Sequence, residues 1–127
     1  MKMENKKLNL LFLEDNSKFR KLLDSLLEEG DVQLQPKYAT CLKEGLEYMD
    51  KESFDAVILD FFLPDSRGLE SMHTIHEKMP NIPVIVLTAL SDAKTKDEMF
   101  RQGAKGYLVK DEIIEHLIPT IREVVSL

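Results

Sequence analysis

The chain has one cysteine, Cys41, among its 127 residues. No internal disulfide is available to it, so its own core must hold the fold, in keeping with a reducing, cytoplasmic setting. Long apolar runs are also missing. Stretches such as Phe61-Phe62-Leu63 are far too short to span a bilayer, and Met1 to Lys7 is polar, without the apolar centre of a secretory signal. Basic residues are in the minority, 17 Lys and Arg against 23 Asp and Glu, for a net charge of −6. A domain of that balance does not grip phosphate backbones by itself. Internal repeats, low-complexity stretches and linkers are absent from the sequence. Membrane-spanning, secreted and direct nucleic-acid-binding classes are thereby set aside. What is left is a polar tail, residues 1–7, followed by one domain over 8–127.

The composition is that of a soluble globule, 43% hydrophobic and 31% charged. A chain of this size buries roughly two-thirds of its unfolded surface. Four apolar runs, Leu8–Leu13, Ala56–Leu59, Pro83–Leu87 and Tyr107–Val109, are continuous rather than alternating. That is the pattern of parallel strands buried on both faces. A fifth run, Val32–Tyr38, alternates and contains Pro36, which places it at a sheet edge.

Helical periodicity fills the intervals. Phe19, Leu22, Leu23, Leu26 and Leu27 form one stripe, with Asn16 or Ser17 as cap and Gly30 as stop. Leu42, Leu46 and Met49 follow a Thr40 cap, and Leu69, Met72, Ile75 and Met79 run to Pro80. A weaker helix spans the cap Ser91 to Gly103, and a last one Glu112 to Ser126, where Pro119 is expected to bend or interrupt it. Strand and helix alternate five times. The expected fold is a three-layer α/β sandwich, a five-stranded parallel sheet with five helices, and its site belongs at the carboxyl ends of the strands.

The residues closing the strong strands are therefore the ones to read. They are Glu14-Asp15, Asp60, Thr88 and Lys110. Three carboxylates brought together repel one another, and a hard divalent cation such as Mg²⁺ removes the conflict. Lys110 adds a point charge suited to a phosphoryl oxygen and Thr88 a hydroxyl donor. Asp60 is then placed to act as a nucleophile and take a phosphoryl group.

Four segments carry a resemblance: Leu11-Phe12-Leu13-Glu14-Asp15-Asn16, Val57 through Gly68, Val84-Ile85-Val86-Leu87-Thr88-Ala89, and Gly103 through Lys110. In this order and spacing the chain resembles the receiver domain of two-component response regulators, over essentially its whole length. The resemblance implies a flavodoxin-like strand order 2-1-3-4-5. It implies Asp60 as phosphoacceptor, charged from a phosphohistidine on a sensor histidine kinase or phosphotransfer protein. Glu14 and Asp15 would hold Mg²⁺, with Asp60 and the backbone carbonyl of Phe62 as further ligands. Lys110 would pair with the phosphoryl oxygens. Thr88 and Tyr107 would form the switch that reshapes the face of the fourth helix, fifth strand and fifth helix for an output partner, a fused output domain or a second copy in a homodimer. Receivers usually follow the lysine with proline, often through a cis bond. Asp111 stands there instead, and a cis bond before a non-proline residue costs about 2.5 to 4 kcal/mol, so a trans bond is expected.

Rival readings fit less well. A phosphohydrolase with an aspartate nucleophile wants a second acid two residues on, where Phe62 stands. A dinucleotide or flavin site wants a Gly- or Ser/Thr-rich loop after the first strand, where Glu14-Asp15 would repel phosphate. A receiver-like interaction module that needs no phosphorylation keeps the fold and loses the chemistry. His73 and His76 share a helix face without a third ligand, His116 has no evident partner, and Met72, Met79 and Met99 read as packing. Cys41 reads as a small buried thiol at a helix start.

Overall fold

The computed structural model describes residues 7–30 and 33–125. The residues of the expected tail before Lys7, the expected strand start Val32 and the helix end Ser126 lie outside them. Lys7 itself opens the first strand. Five strands form one parallel sheet: β1 (Lys7–Leu13), β2 (Gln33–Ala39), β3 (Ala56–Asp60), β4 (Val84–Thr88) and β5 (Gly106–Val109). Their order is β2-β1-β3-β4-β5, with Leu10 opposite Ala56, Ile58 opposite Ile85, and Val86 opposite Tyr107. Pro36 lies in β2, opposite Leu10. The edge position leaves one side of that strand without a ladder to break.

Successive side chains on each strand point to opposite faces, which explains the continuous apolar runs. Leu11, Leu13, Val57, Leu59, Val84 and Val86 serve one core beneath α2 (Leu42–Lys51), α3 (Gly68–Lys78) and α4 (Ala93–Arg101). Leu10, Phe12, Ile58, Ile85, Leu87 and Leu108 serve the other, covered by α1 (Ser17–Glu28) and α5 (Ile113–Val125). The three layers and five helices expected from the alternating pattern are present.

The helix ends differ from the expected ones in instructive ways. α1 is capped by Asn16, whose Oδ1 accepts from the Phe19 N–H at 2.9 Å. α2 begins after Cys41 rather than Thr40, and no side chain at that position caps it. Asp65, from the loop after β3, takes over instead, accepting from the Leu42 N–H at 2.8 Å and the Lys43 N–H at 3.0 Å. α4 is capped by Asp92 rather than Ser91, because two carboxylate oxygens serve the N–H groups of both Lys94 and Thr95. A 3-10 turn, Lys110–Glu112, precedes α5.

Pro119 does not interrupt α5, which runs unbroken from Ile113 to Val125. The proline and Glu115, whose carbonyl loses its helical donor, are both exposed. Water can satisfy that carbonyl. Between β3 and α3 the chain makes a small antiparallel ribbon, Phe62–Leu63 against Ser66–Arg67, which periodicity did not reveal. Gly68 ends it at φ +24°, and a Cβ there would meet the Phe61 ring at 2.5 Å. Only glycine fits this position.

Candidate functional site

β1 delivers the first two acids. The Glu14 N–H extends the sheet by donating to the Ala39 carbonyl at 2.9 Å, and its side chain is fully buried. Glu14 Oε2 accepts from the Asn16 N–H at 3.0 Å, and its carbonyl oxygen accepts from Arg20 Nη1 at 2.8 Å. Asp15 is exposed beside it. β3 delivers Asp60, 4% exposed, whose Oδ1 accepts from the Phe62 N–H at 3.2 Å. One oxygen from each of Glu14, Asp15 and Asp60 lies within 4.8 Å of the others.

β5 brings the counter-charge. Lys110 Nζ stands 2.9 Å from Glu14 Oε1 and 3.3 Å from Asp60 Oδ2. The Lys110–Asp111 bond is trans, and the lysine reaches the acids without a following proline. β4 delivers Thr88, also fully buried, with Oγ1 accepting from the Leu90 N–H at 3.1 Å. Tyr107 lies on the neighbouring strand, and its hydroxyl donates to the Leu90 carbonyl at 3.1 Å. Every side chain singled out at the strand ends therefore lies on one rim, with Tyr107 linked to it through Leu90.

The electrostatics follow from burial. The Asp60 carboxyl is pushed up from 3.8 to about 6. Its burial is the largest cause and the Glu14 carboxylate the next, against the opposing pull of Lys110 and the Phe62 N–H. For Lys110, burial works against the charge, but Glu14 and Asp60 outweigh it and raise the ammonium above its ordinary value. Glu14 Oε1 is buried without a hydrogen bond and meets the Lys110 ammonium as an ion pair.

Three residues that the sequence did not mark as part of the site also reach this region. Arg20 holds the Glu14 carbonyl, Asp65 ties the ribbon after Asp60 to α2, and the Phe19 ring lies 4.7 Å from Lys110 Nζ. These contacts are between residues apart in the chain, so local spacing carried no signal for them. The histidines lie elsewhere: His73 Nε2 is 3.3 Å from Gln102 Oε1, and His76 Nε2 is 3.4 Å from the Ile82 carbonyl. Among the described residues, no helix is long and apolar enough to cross a membrane.

Comparison with known proteins agrees with this geometry. A family model described as the response regulator receiver domain matches residues 10–122. The response regulator ArlR of Staphylococcus haemolyticus is 31% identical over 116 residues, which cover 91% of this chain and 52% of that protein. The response regulator protein PilR of Pseudomonas aeruginosa is 32% identical over 100 residues, 79% of this chain and 22% of that protein. The chain thus spans about half, or less, of the length of these curated relatives. Among solved structures, the receiver domain of Francisella response regulator 1452 aligns with a TM-score of 0.84 at 24% identity, covering 94% of this chain and 97% of that one. The chemotaxis response regulator CheY4 of Vibrio cholerae aligns at 0.80 and 25% identity, over 94% and 99%. Acids, hydroxyl and lysine stand on the rim of a sheet ordered 2-1-3-4-5, and the family match runs over nearly the whole chain: this protein belongs to the response regulator receiver domain family of two-component signalling.

Proposed function

We propose that the chain is a phosphorylation switch rather than a turnover enzyme, with Asp60 as its acceptor. The observation that carries this reading is the convergence of Glu14, Asp15, Asp60 and Lys110 on one rim. An Asp60 carboxylate oxygen attacks phosphorus, the phosphorus–nitrogen bond to the donor's imidazole breaks, and the imidazole leaves with the bonding pair and takes up a proton. The donor is a phosphohistidine on a sensor histidine kinase or a phosphotransfer protein. Lys110 receives charge on the phosphoryl oxygens, a role supported by its present contact with Asp60 Oδ2.

Mg²⁺ suits the donor set. Three carboxylates crowd together, and the fully buried Glu14 Oε1 has the Lys110 ammonium as its partner. Glu14, Asp15, Asp60 and the Phe62 carbonyl would hold the ion. When bound it supplies neutralisation of charge on the carboxylates and the transferring group. Thr88 then turns its hydroxyl from the Leu90 N–H toward the phosphoryl group, and Tyr107 gives up the Leu90 carbonyl as the loop shifts. The face of α4, β5 and α5 is the readout, offered to an output partner, a fused output domain or a second copy.

Phe62 and Leu90, 41% and 37% exposed, offer no group to orient an attacking water, so self-dephosphorylation is slow. Exchanging both for polar residues is expected to quicken decay by about tenfold or more; an unchanged rate would show that they do not control it. The acceptor itself is tested with acetyl phosphate, with and without Mg²⁺, by intact mass alongside Asp60→Asn. A Mg²⁺-dependent adduct absent from the variant supports the reading. No adduct from the folded wild type overturns it in favour of an interaction module that works without phosphorylation.

A further inference from the structure

Lys110 has to serve two anions while keeping its charge available to a third. Its ammonium lies 2.9 Å from Glu14 Oε1 and 3.3 Å from Asp60 Oδ2, so the nearer, fully buried glutamate competes with the acceptor for it. Nothing in the backbone restrains the head group. The lysine opens a short 3-10 turn, and aspartate rather than proline follows it.

The remaining contact is aromatic. Lys110 Nζ stands 4.7 Å from the centroid of the Phe19 ring, within the range at which a ring face attracts a cation. The backbone that carries the ring is tied down at the start of α1. The Phe19 N–H bonds to the Asn16 cap at 2.9 Å, and the next residue, Arg20, donates to the Glu14 carbonyl at 2.8 Å. The side chain is partly buried against the core beneath α1 and α5.

We propose that Phe19 is a positioning residue that holds the Lys110 ammonium over the acceptor carboxylate. A ring face attracts the cation without neutralising it, so the charge remains available to an incoming phosphoryl oxygen. A carboxylate in the same place would hold the lysine more tightly and spend its charge. The inference rests on the reading of Asp60 as acceptor, and the experiment separates the two.

Phe19→Leu keeps apolar bulk and removes the ring face, while Phe19→Tyr restores it. Two readouts are taken on the full chain. The first is the proton shift of the Lys110 ε-methylene, assigned by its loss in Lys110→Arg. The upfield ring-current displacement is expected in the wild type and in Phe19→Tyr and is lost in Phe19→Leu, with no phosphorylation required. The second is the rate of Asp60 adduct formation from acetyl phosphate and Mg²⁺, expected to fall about three- to tenfold in Phe19→Leu and to recover in Phe19→Tyr. Should Phe19→Leu fail to fold, Phe19→Met asks the same question. A Lys110 shift indifferent to the ring, or an unchanged rate after the shift is lost, overturns the proposal. A wild type that takes no phosphoryl group while its Lys110 shift still depends on the ring overturns the acceptor reading instead.

Discussion

The two walls of the acidic site are anchored very differently. On the β1–α1 side, Asn16 caps the helix, Arg20 clamps the Glu14 carbonyl, and Leu23 and Leu27 sink into the core. On the β4–α4 side, the helix has nine residues and Met99 is its one buried residue. A groove of about 670 Å³ runs beside it, with Phe61, Leu69 and Met99 among its lining, and Phe100 is left 41% exposed. The wall that carries Glu14 and Asp15 is anchored through its helix as well as its strand, whereas beyond the fully buried Thr88 the helix α4 is seated by one buried residue. The proposed function uses both: ligands for an ion need a rigid support, and a switch needs an element that can shift at small cost.

The largest expected effect lies between the walls, at Asp60. Its carboxyl is raised from 3.8 to about 6, chiefly by burial and then by Glu14. A raised folded-state value means that the group's contribution to stability is fully present below about pH 4 and is lost as the pH climbs through about 6. Urea denaturation without Mg²⁺ is expected to show about 2 to 3 kcal/mol of stability lost over that window, and Asp60→Asn to flatten it. A wild-type profile as flat as the variant's would mean that burial and Glu14 do not raise the Asp60 carboxyl. Mg²⁺ at about a hundred times its dissociation constant is expected to return about 2.7 kcal/mol at pH 7, and a chelator to take it away.

A smaller effect bears on the comparison directly. Amide hydrogens within α4 are expected to exchange about tenfold or more faster than those within α1, read residue by residue by NMR. Equal protection would break the contrast. Smallest are the caps. Asn16→Ala is expected to cost about 1 kcal/mol of global stability. Asp92→Ala should cost about half as much, since its bonds from the Lys94 and Thr95 N–H groups are long at 3.2 and 3.3 Å, and its short bond from the Thr95 hydroxyl, 2.7 Å, lies within one exposed turn. The reverse order in thermal melts would mean that α4 is the better anchored helix.

Much of this architecture was legible in the chain. The apolar runs located β1, β3, β4 and β5 within a residue or two, and Pro36 marked β2 as an edge. The rim residues Glu14, Asp15, Asp60, Thr88 and Lys110 were readable because each stands at the end of such a run. Less legible were the features set by partners far along the chain. Thr40 and Ser91 looked like caps by local rule, yet Asp65 caps α2 from another loop and Asp92 caps α4 with two oxygens. Pro119 looked like a break, and its exposed position let the helix pass through it.

The sequence by itself determined the sheet, its two buried faces and the identity of the residues on its rim, because strand periodicity and strand ends are local properties. Tertiary structure alone decided how those residues engage: Lys110 between Glu14, Asp60 and the Phe19 ring, Glu14 Oε1 buried without a hydrogen bond, and α4 loosely seated beside its groove. Distances and burial arise only when segments distant in the chain pack together, and they set the charge and mobility of a site whose residue types were already readable.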